Sequence, residues 1–224
     1  MTKHNQYLIT PEDIIKSYMI GVFPMSLNRK DNNTFFVEPK IRAVIPIQKF
    51  HFSKSLKRLI KKKPFKITVD KAFPEVIHKC ATINRTETWI NSEIQDLFIS
   101  LNKMKYAHSI ECWKDNILVG GIYGLAIGGV FFAESMFSSI SNGSKIALSN
   151  LVARLWKTGF QLLDVQFMNE HLYQFGAFEI SQFEFKNKLA ISLNHKADFY
   201  SLEFNDEVSF ECLSSFVQDS IDIS

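Results

Sequence analysis

A mixed α/β fold, with a mostly antiparallel sheet flanked by helices, is predicted for this 224-residue chain by three observations. Helix and strand patterns alternate from Ser53 onward, three strand patterns follow in series between His108 and Glu134 with turns between them, and a helical period after Ser144 leads back into a strand. The first forty residues read differently, as one short helix and then turns. A boundary near Pro39 therefore separates a small N-terminal domain, residues 1–41, from a larger domain, residues 42–224.

Thr10-Pro11-Glu12-Asp13 opens the first helix, since Thr can cap, Pro suits the first turn and the acids complement the helix dipole; Gly21 ends it. Phe23-Pro24 through Pro39 is expected to be loop and turn, and Arg42 to Ile47 a short strand. Ser53 can cap a helix running to Lys63, which Pro64 stops. Phe65 to Val69 alternates as a strand, Asp70 is placed as the cap of the next helix, and Asn91 as the cap of another. His108 to Trp113, Ile117 to Ile127 and Val130 to Glu134 then form a meander, turning at Lys114-Asp115-Asn116 and at Gly128-Gly129. Leu148, Leu151, Val152 and Leu155 recur at helical spacing behind a Ser144 cap, Gly159 stops that helix, and Gln161 to Gln166 is a strand. Sheet, helix, then strand is an acyltransferase-like order. The last thirty or so residues, rich in Ser, Asp and Glu, show no clear period and are expected to be an irregular extension.

No apolar run approaches a membrane span and the N-terminus has no hydrophobic block of the signal-peptide kind, so the chain is expected in the cytoplasm, without a membrane partner. Cys80, Cys112 and Cys212 lack metal-ligand spacing and are odd in number, which argues against a zinc site or a disulfide framework and for buried thiols. A net charge of +3 does not announce a nucleic-acid binder, but the cations cluster between Lys54 and Lys63. The 21 Phe residues suit apolar clefts, although most of the rings must be core.

Eight segments in order resemble the leucyl/phenylalanyl-tRNA-protein transferase family: Tyr18-Met-Ile-Gly-Val-Phe-Pro-Met25, Thr88-Trp-Ile90, Ala107-His-Ser-Ile-Glu-Cys-Trp113, Gly120-Gly-Ile-Tyr-Gly124, Glu134-Ser-Met-Phe137, Ser144-Lys-Ile-Ala-Leu148, Leu163-Asp-Val-Gln166 and His171-Leu-Tyr-Gln-Phe-Gly-Ala177. Each motif alone is weak; eight in series are specific. The resemblance spans residues 10–185 and implies a small N-terminal domain on a larger acyl-CoA N-acyltransferase-like (GNAT-type) domain. It implies transfer of Leu or Phe, less readily Met, from Leu-tRNA or Phe-tRNA to proteins beginning with Arg or Lys, which marks them for degradation.

An aminoacyl ester is already activated, so attack by an α-amine needs positioning, a deprotonated amine and a stabilised oxyanion, with no ATP, metal or other cofactor. Asp164 and Gln166 lie two apart on a predicted strand and so share a face; the resemblance makes them the catalytic pair. Gln166 is expected to accept a hydrogen bond from the attacking amine through its side-chain carbonyl, with Asp164 holding or polarising that amide. Glu134, ending the apolar strand Val130-Phe131-Phe132-Ala133, is expected to hold the acceptor N-terminus or the aminoacyl amine; the plainer alternative is an ion pair with Lys145 or an Arg. Asn169 is either a substrate contact or a helix cap before His171.

Ile122, Phe131, Met136 and Leu163 fall on or beside the family's pocket segments and are candidates to line an apolar pocket, where a flexible Met would tolerate branched and aromatic side chains. Trp89 and Tyr123 are candidates to contact the aminoacyl end or stack on the terminal adenosine, and Met25, where the family carries a Trp, can still pack against a base. His108 reads as a structural histidine. Lys54, Lys57, Arg58, Lys61, Lys62 and Lys63 could bind the acceptor stem through its phosphates; a solvated helix face is the balanced alternative.

Several positions depart from the family pattern. Met25 stands for a Trp, Phe36-Val37-Glu38-Pro39 for Trp-Trp-Ser-Pro, Phe98 for a Tyr, Ser139 for an Arg, Gly143 for a small Ala, and Ser181-Gln182 for Pro-Arg. Two other functions compete. An acyl-CoA-dependent N-acetyltransferase would need a glycine loop opening a helix, whereas Gly120, Gly121, Gly124, Gly128 and Gly129 fall on predicted strands and a turn. A non-catalytic tRNA-binding module would be favoured by decayed catalytic positions, and Asp164, Gln166 and Glu134 are all present.

Overall fold

The strand patterns in the middle of the chain assemble into one sheet with helices on both faces. The computed structural model describes residues 9–31, 33–203 and 205–222. Among these, the elements run α1 Pro11–Met19, β1 Phe23–Met25, β2 Phe35–Val37, β3 Ile41–Ile45, α2 Lys54–Lys61, β4 Lys66–Val69, α3 Phe73–Thr82, α4 Ser92–Lys103, β5 Ala107–Lys114, β6 Ile117–Ile127, β7 Val130–Ser138, α5 Gly143–Lys157, β8 Leu162–Gln166, α6 Glu170–Tyr173, β9 Phe178–Ser181, α7 Gln182–Leu193 and α8 Asp206–Asp222. The large sheet has the order β4-β5-β6-β7-β8-β3-β9, and β1 and β2 form a separate ribbon. Within the large sheet only β7 and β8 pair in parallel.

That parallel pair is short. Its register runs Val130↔Leu162, Phe131↔Leu163 and Phe132↔Asp164, and stops there although β7 continues to Ser138 and β8 to Gln166. Parallel strands need a crossover, and α5 supplies it. The helix approaches the sheet closely at its start: a Cβ on Gly120 would lie 2.6 Å from the Gly143 Cα. Close helix–strand packing therefore accounts for Gly120.

Strand alternation divides the interior into two cores. Ile110, Val119, Ile122, Phe131 and Leu163 face a core shared with α2, α5 and α8; Leu118, Tyr123, Leu125, Phe132 and Leu162 face one shared with α1, α3, α4 and α7. Ile14, Tyr18 and Phe23 belong to the second core, so the N-terminal segment packs directly on the sheet.

Local chemistry explains most boundaries. Thr10 and Asp13 form a reciprocal capping box, Ser53 accepts from Leu56 N at 3.2 Å, and Asn91 accepts from Ile94 N at 2.8 Å. Asp115 and Asn116, both at positive φ, make the tight β5–β6 turn. All three cysteines are buried and free.

Four expectations fail. Asp70 caps no helix: its carboxylate is taken by Ser109 N at 2.7 Å and His108 Nδ1 at 2.7 Å, and α3 starts at Phe73 with Ala72 as an N-cap lacking a side-chain bond. Ser144 does not cap α5; Asn142 precedes the helix at φ +72, and Ser144 N donates to Ser138 Oγ at 3.2 Å. The stretch expected to be loop contains β1 and β2. The C-terminal segment is not irregular but holds the seventeen-residue α8, whose Ser209, Cys212, Leu213 and Phe216 are buried. Phe216 packs against Trp156, Phe52 and Phe50, so packing rather than propensity sustains α8.

Candidate active site

Where β7 and β8 part, a cavity of about 460 Å³ opens, a volume suited to a small ligand. Ile122, Met136, Leu148, Val165 and Leu172 supply its apolar wall, Glu134 and Gln166 its polar end, and Phe23, Met25, Trp89, Phe167, Arg85, Asn169 and His171 further lining. Ile122 and Met136 are direct cross-strand partners beyond the zipped segment, which is why both reach the cavity.

The gap is bridged by side chains. Gln166 Nε2 donates to Glu134 Oε1 at 2.8 Å across the separated strands. Gln166 sits at φ +55, a left-handed backbone that is unusual for a residue other than glycine and turns the chain out of the sheet. With its NH₂ committed to Glu134, the side-chain carbonyl of Gln166 is the acceptor it offers to a ligand.

Behind this pair lies a buried ion pair. Asp164 is 0% exposed and Arg42, on the neighbouring strand β3, 1%. The guanidinium meets the carboxylate with two bonds, Nε to Oδ1 at 2.9 Å and Nη2 to Oδ2 at 2.6 Å, while Nη1 donates to the Gly21 carbonyl at 3.0 Å. The rings of Phe23 and Phe185 cover Arg42, with centroids 4.7 and 4.4 Å from Cζ. Asp164 Oδ1 also accepts from the backbone N of Gln166 at 2.9 Å. Asp164 thus positions the backbone of Gln166 and touches neither its side-chain amide nor the cavity.

Glu134 keeps some surface open to the cavity, yet protein surrounds it, and burial is the main force that pushes its carboxyl up to about 8. The negative charge of Asp164 adds to the rise; Arg42, Gln166 and the nearby Tyr18 hydroxyl oppose it. Tyr18 is buried beside that carboxyl without a hydrogen bond of ordinary geometry.

The cavity therefore gathers Gln166, Glu134, Asn169, Trp89, Ile122, Met136 and Met25. It does not gather Tyr123, Phe131 or Leu163, expected to contact substrate, which are buried in the two cores at 0%, 1% and 0% exposure. Phe131 and Leu163 belong to the zipped register, and Tyr123 points to the sheet face opposite Ile122, against Phe73 and Phe98. Phe98 is likewise core, so its departure from Tyr lies away from the cavity. Asn169 does cap α6, accepting from Leu172 N at 3.1 Å, which leaves its amide NH₂ as the donor it can present. The ion pair expected as the alternative for Glu134 is absent among the described residues; Lys145 instead donates to Gln174 Oε1 at 2.7 Å.

The basic helix is apart from the cavity. Leu56 and Ile60 bury one side of α2, Lys54, Arg58, Lys61, Lys62 and Lys63 are exposed, and Lys57 is half-buried. None of the six has an acidic partner within ion-pair distance among the described residues. Lys63 Nζ lies 3.5 Å from the centroid of Phe210 on α8. His108 is buried, bonded to Asp70 and stacked on Phe199 at 4.1 Å, a structural role.

Arg42, Arg85 and Phe167 went unassigned from the sequence. Only Arg42 carried a signal, as a charged residue inside the apolar run Ile41–Ile45 that requires a buried partner.

An apolar pocket closed by a carboxyl–amide pair has the makings of a site for an apolar group beside a polar centre. The family model described as leucyl/phenylalanyl-tRNA protein transferase matches residues 44–190. Proteins named leucyl/phenylalanyl-tRNA–protein transferase are similar over most of their length: that of Phenylobacterium zucineum is 48% identical over 85% of this chain and 87% of its own, that of Rhodospirillum rubrum 46% over 85% and 91%, and that of Caulobacter vibrioides 44% over 94% and 98%. The chain belongs to the leucyl/phenylalanyl-tRNA–protein transferase family.

Proposed function

We propose that this protein transfers Leu or Phe, less readily Met, from its tRNA to the α-amine of proteins beginning with Arg or Lys, marking them for degradation. The observation that carries the reading is the apolar cavity ending on the Glu134–Gln166 pair. The side chain of the donor amino acid lies against Ile122, Met136, Leu148, Val165 and Leu172, which sets its ester carbonyl near the polar end. The Gln166 carbonyl accepts a hydrogen bond from the attacking amine and aligns it. An amide oxygen is too weak a base to hold a proton, so the proton passes to Glu134, whose value of about 8 matches an α-amine. A C–N bond forms, the bond from the carbonyl carbon to the ribose oxygen breaks, and that oxygen leaves with the proton Glu134 took up, which restores the carboxylate. Asp164 acts behind the site, holding Gln166 through its backbone and pairing with Arg42.

The transferase domain is read as GNAT-type, supported by the parting of β7 and β8 at the cavity, and the segment up to residue 41 as a small domain whose described residues, 9–31 and 33–41, pack on it through Ile14, Tyr18 and Phe23; residues 1–8 and 32 lie outside the described residues. The cations of α2 are read as contacts to the acceptor stem, supported by the exposure of all but Lys57 and by their lack of acidic partners among the described residues. Among the described residues no helix is long and apolar enough to cross a membrane, and a reaction that consumes aminoacyl-tRNA is read as cytoplasmic.

The test mixes the protein with tRNA carrying labelled Leu or Phe and with peptides beginning with Arg, Lys or Ala, beside a Gln166→Ala control. Label on the Arg and Lys peptides alone, lost in the control, is expected. Label on no peptide, with tRNA bound, would overturn the reading in favour of a binding module.

A further inference from the structure

Two residues of one short loop meet at the cavity. The loop between α3 and α4 carries Arg85 and, four residues on, Trp89, and both line the cavity. It is pinned on two sides. Asn84 Nδ2 donates to the Ser138 carbonyl at 3.3 Å, and Ser26 Oγ, next to Met25, donates to the Trp89 carbonyl at 2.8 Å. Arg85 Nη2 donates to Ser135 Oγ at 2.8 Å, which orients the guanidinium on β7 beside Glu134. That bond occupies one of five N–H donors.

Electrostatics decides which substrate Arg85 serves. The charged or titratable side chains on this wall are Arg85, Glu134 and His171. Burial raises Glu134 to about 8, and burial with Lys145 nearby lowers His171, so at neutral pH both stay largely uncharged and Arg85 is the standing charge. The acceptor brings an α-amine and a cationic side chain, which Arg85 repels. The donor brings an anion within one nucleotide of the reacting ester.

Resting on the transferase reading above, we infer that Arg85 binds the phosphate 5′ of the donor's terminal adenosine, making its loop a clamp for one nucleotide with Trp89 at the base. A planar guanidinium with several directed donors suits a phosphodiester. Arg85 is a donor-positioning residue, distinct from the basic helix, whose contacts would fall farther along the tRNA.

The test compares two minimal donors, adenosine bearing a 3′-phenylalanyl ester and the same molecule with a 5′-phosphate. The wild-type protein is expected to prefer the phosphorylated donor by about tenfold in kcat/KM, and Arg85→Ala to bring the ratio below about twofold. Arg85→Lys should keep an intermediate ratio. The same ratios are measured as Kd with the non-transferable 3′-amide analogues, so they report on Arg85 even if catalysis fails. A variant that keeps the wild-type ratio, or a wild type without preference, would overturn the inference; a structural role alone weakens both donors equally. Transfer from neither donor by the wild type would count against the transferase reading, while the binding ratio still decides Arg85.

Discussion

The strands β7 and β8 behave as two different objects along their length. From Val130 to Phe132 they are zipped to Leu162 to Asp164, and their side chains are ordinary core. Beyond that point the backbones part, a side-chain bond from Gln166 to Glu134 replaces the ladder, and the space between them is the cavity. The proposed chemistry falls on the first residues past the β7–β8 ladder, still paired to β6 and β3 on their other sides, where the edges the two strands turn to each other must find side-chain partners or a ligand.

The largest effect should come from cutting the strut behind the boundary. Arg42→Ala leaves the Asp164 carboxylate buried without its cation, and should cost about 3–5 kcal/mol in denaturant unfolding. A smaller loss would mean that the open end of β8 needs no such anchor. Next, Gln166→Ala removes the amide proposed to align the amine and should lower kcat about 100-fold, while the lost bond to the buried Glu134 costs about 1–3 kcal/mol in denaturant unfolding. Gly120→Ala tests the zipped side: its Cβ would meet the Gly143 backbone at 2.6 Å, displacing α5 at a cost of about 1–3 kcal/mol. Smallest is the basic helix. Lys61→Ala should leave the fold intact and flatten the salt dependence of tRNA binding by about one charge's worth, checked by titration at several salt concentrations.

How much of this was legible in the sequence follows the same divide. The two-residue spacing of Asp164 and Gln166 and the meander's periodicity are local, and so were readable. What separates the two residues is not local: Asp164 is captured by Arg42 from a strand more than a hundred positions away, and Gln166 takes a left-handed backbone that no β-strand pattern announces. Phe131 and Leu163 looked like pocket residues because strands buried on both faces show which residues are apolar but not where the ladder stops. The helix α8 hid because its buried positions are diluted by Ser, Asp and Glu, and only packing against Trp156 and the rings of Phe50 and Phe52 reveals the period.

The burial that raises Glu134 also leaves a mark on stability. Between the pH at which an unfolded Glu ionises, about 4.3, and its folded value of about 8, the unfolded state releases a proton that the folded state keeps. That group's contribution to stability therefore falls as pH rises through this window and is constant above it. Glu134→Gln should remove this part of the slope.

The most direct test of the proton's destination is the pH dependence of kcat with saturating acceptor peptide, for the wild type and Glu134→Gln. Below about 8 Glu134 holds its own proton and cannot take another, so wild-type turnover should climb with pH through that value, and Glu134→Gln should be slower by about 100-fold or more, with a shallower rise left by the amine's own deprotonation. A Glu134→Gln protein that turns over at the wild-type rate with the same profile would contradict the account.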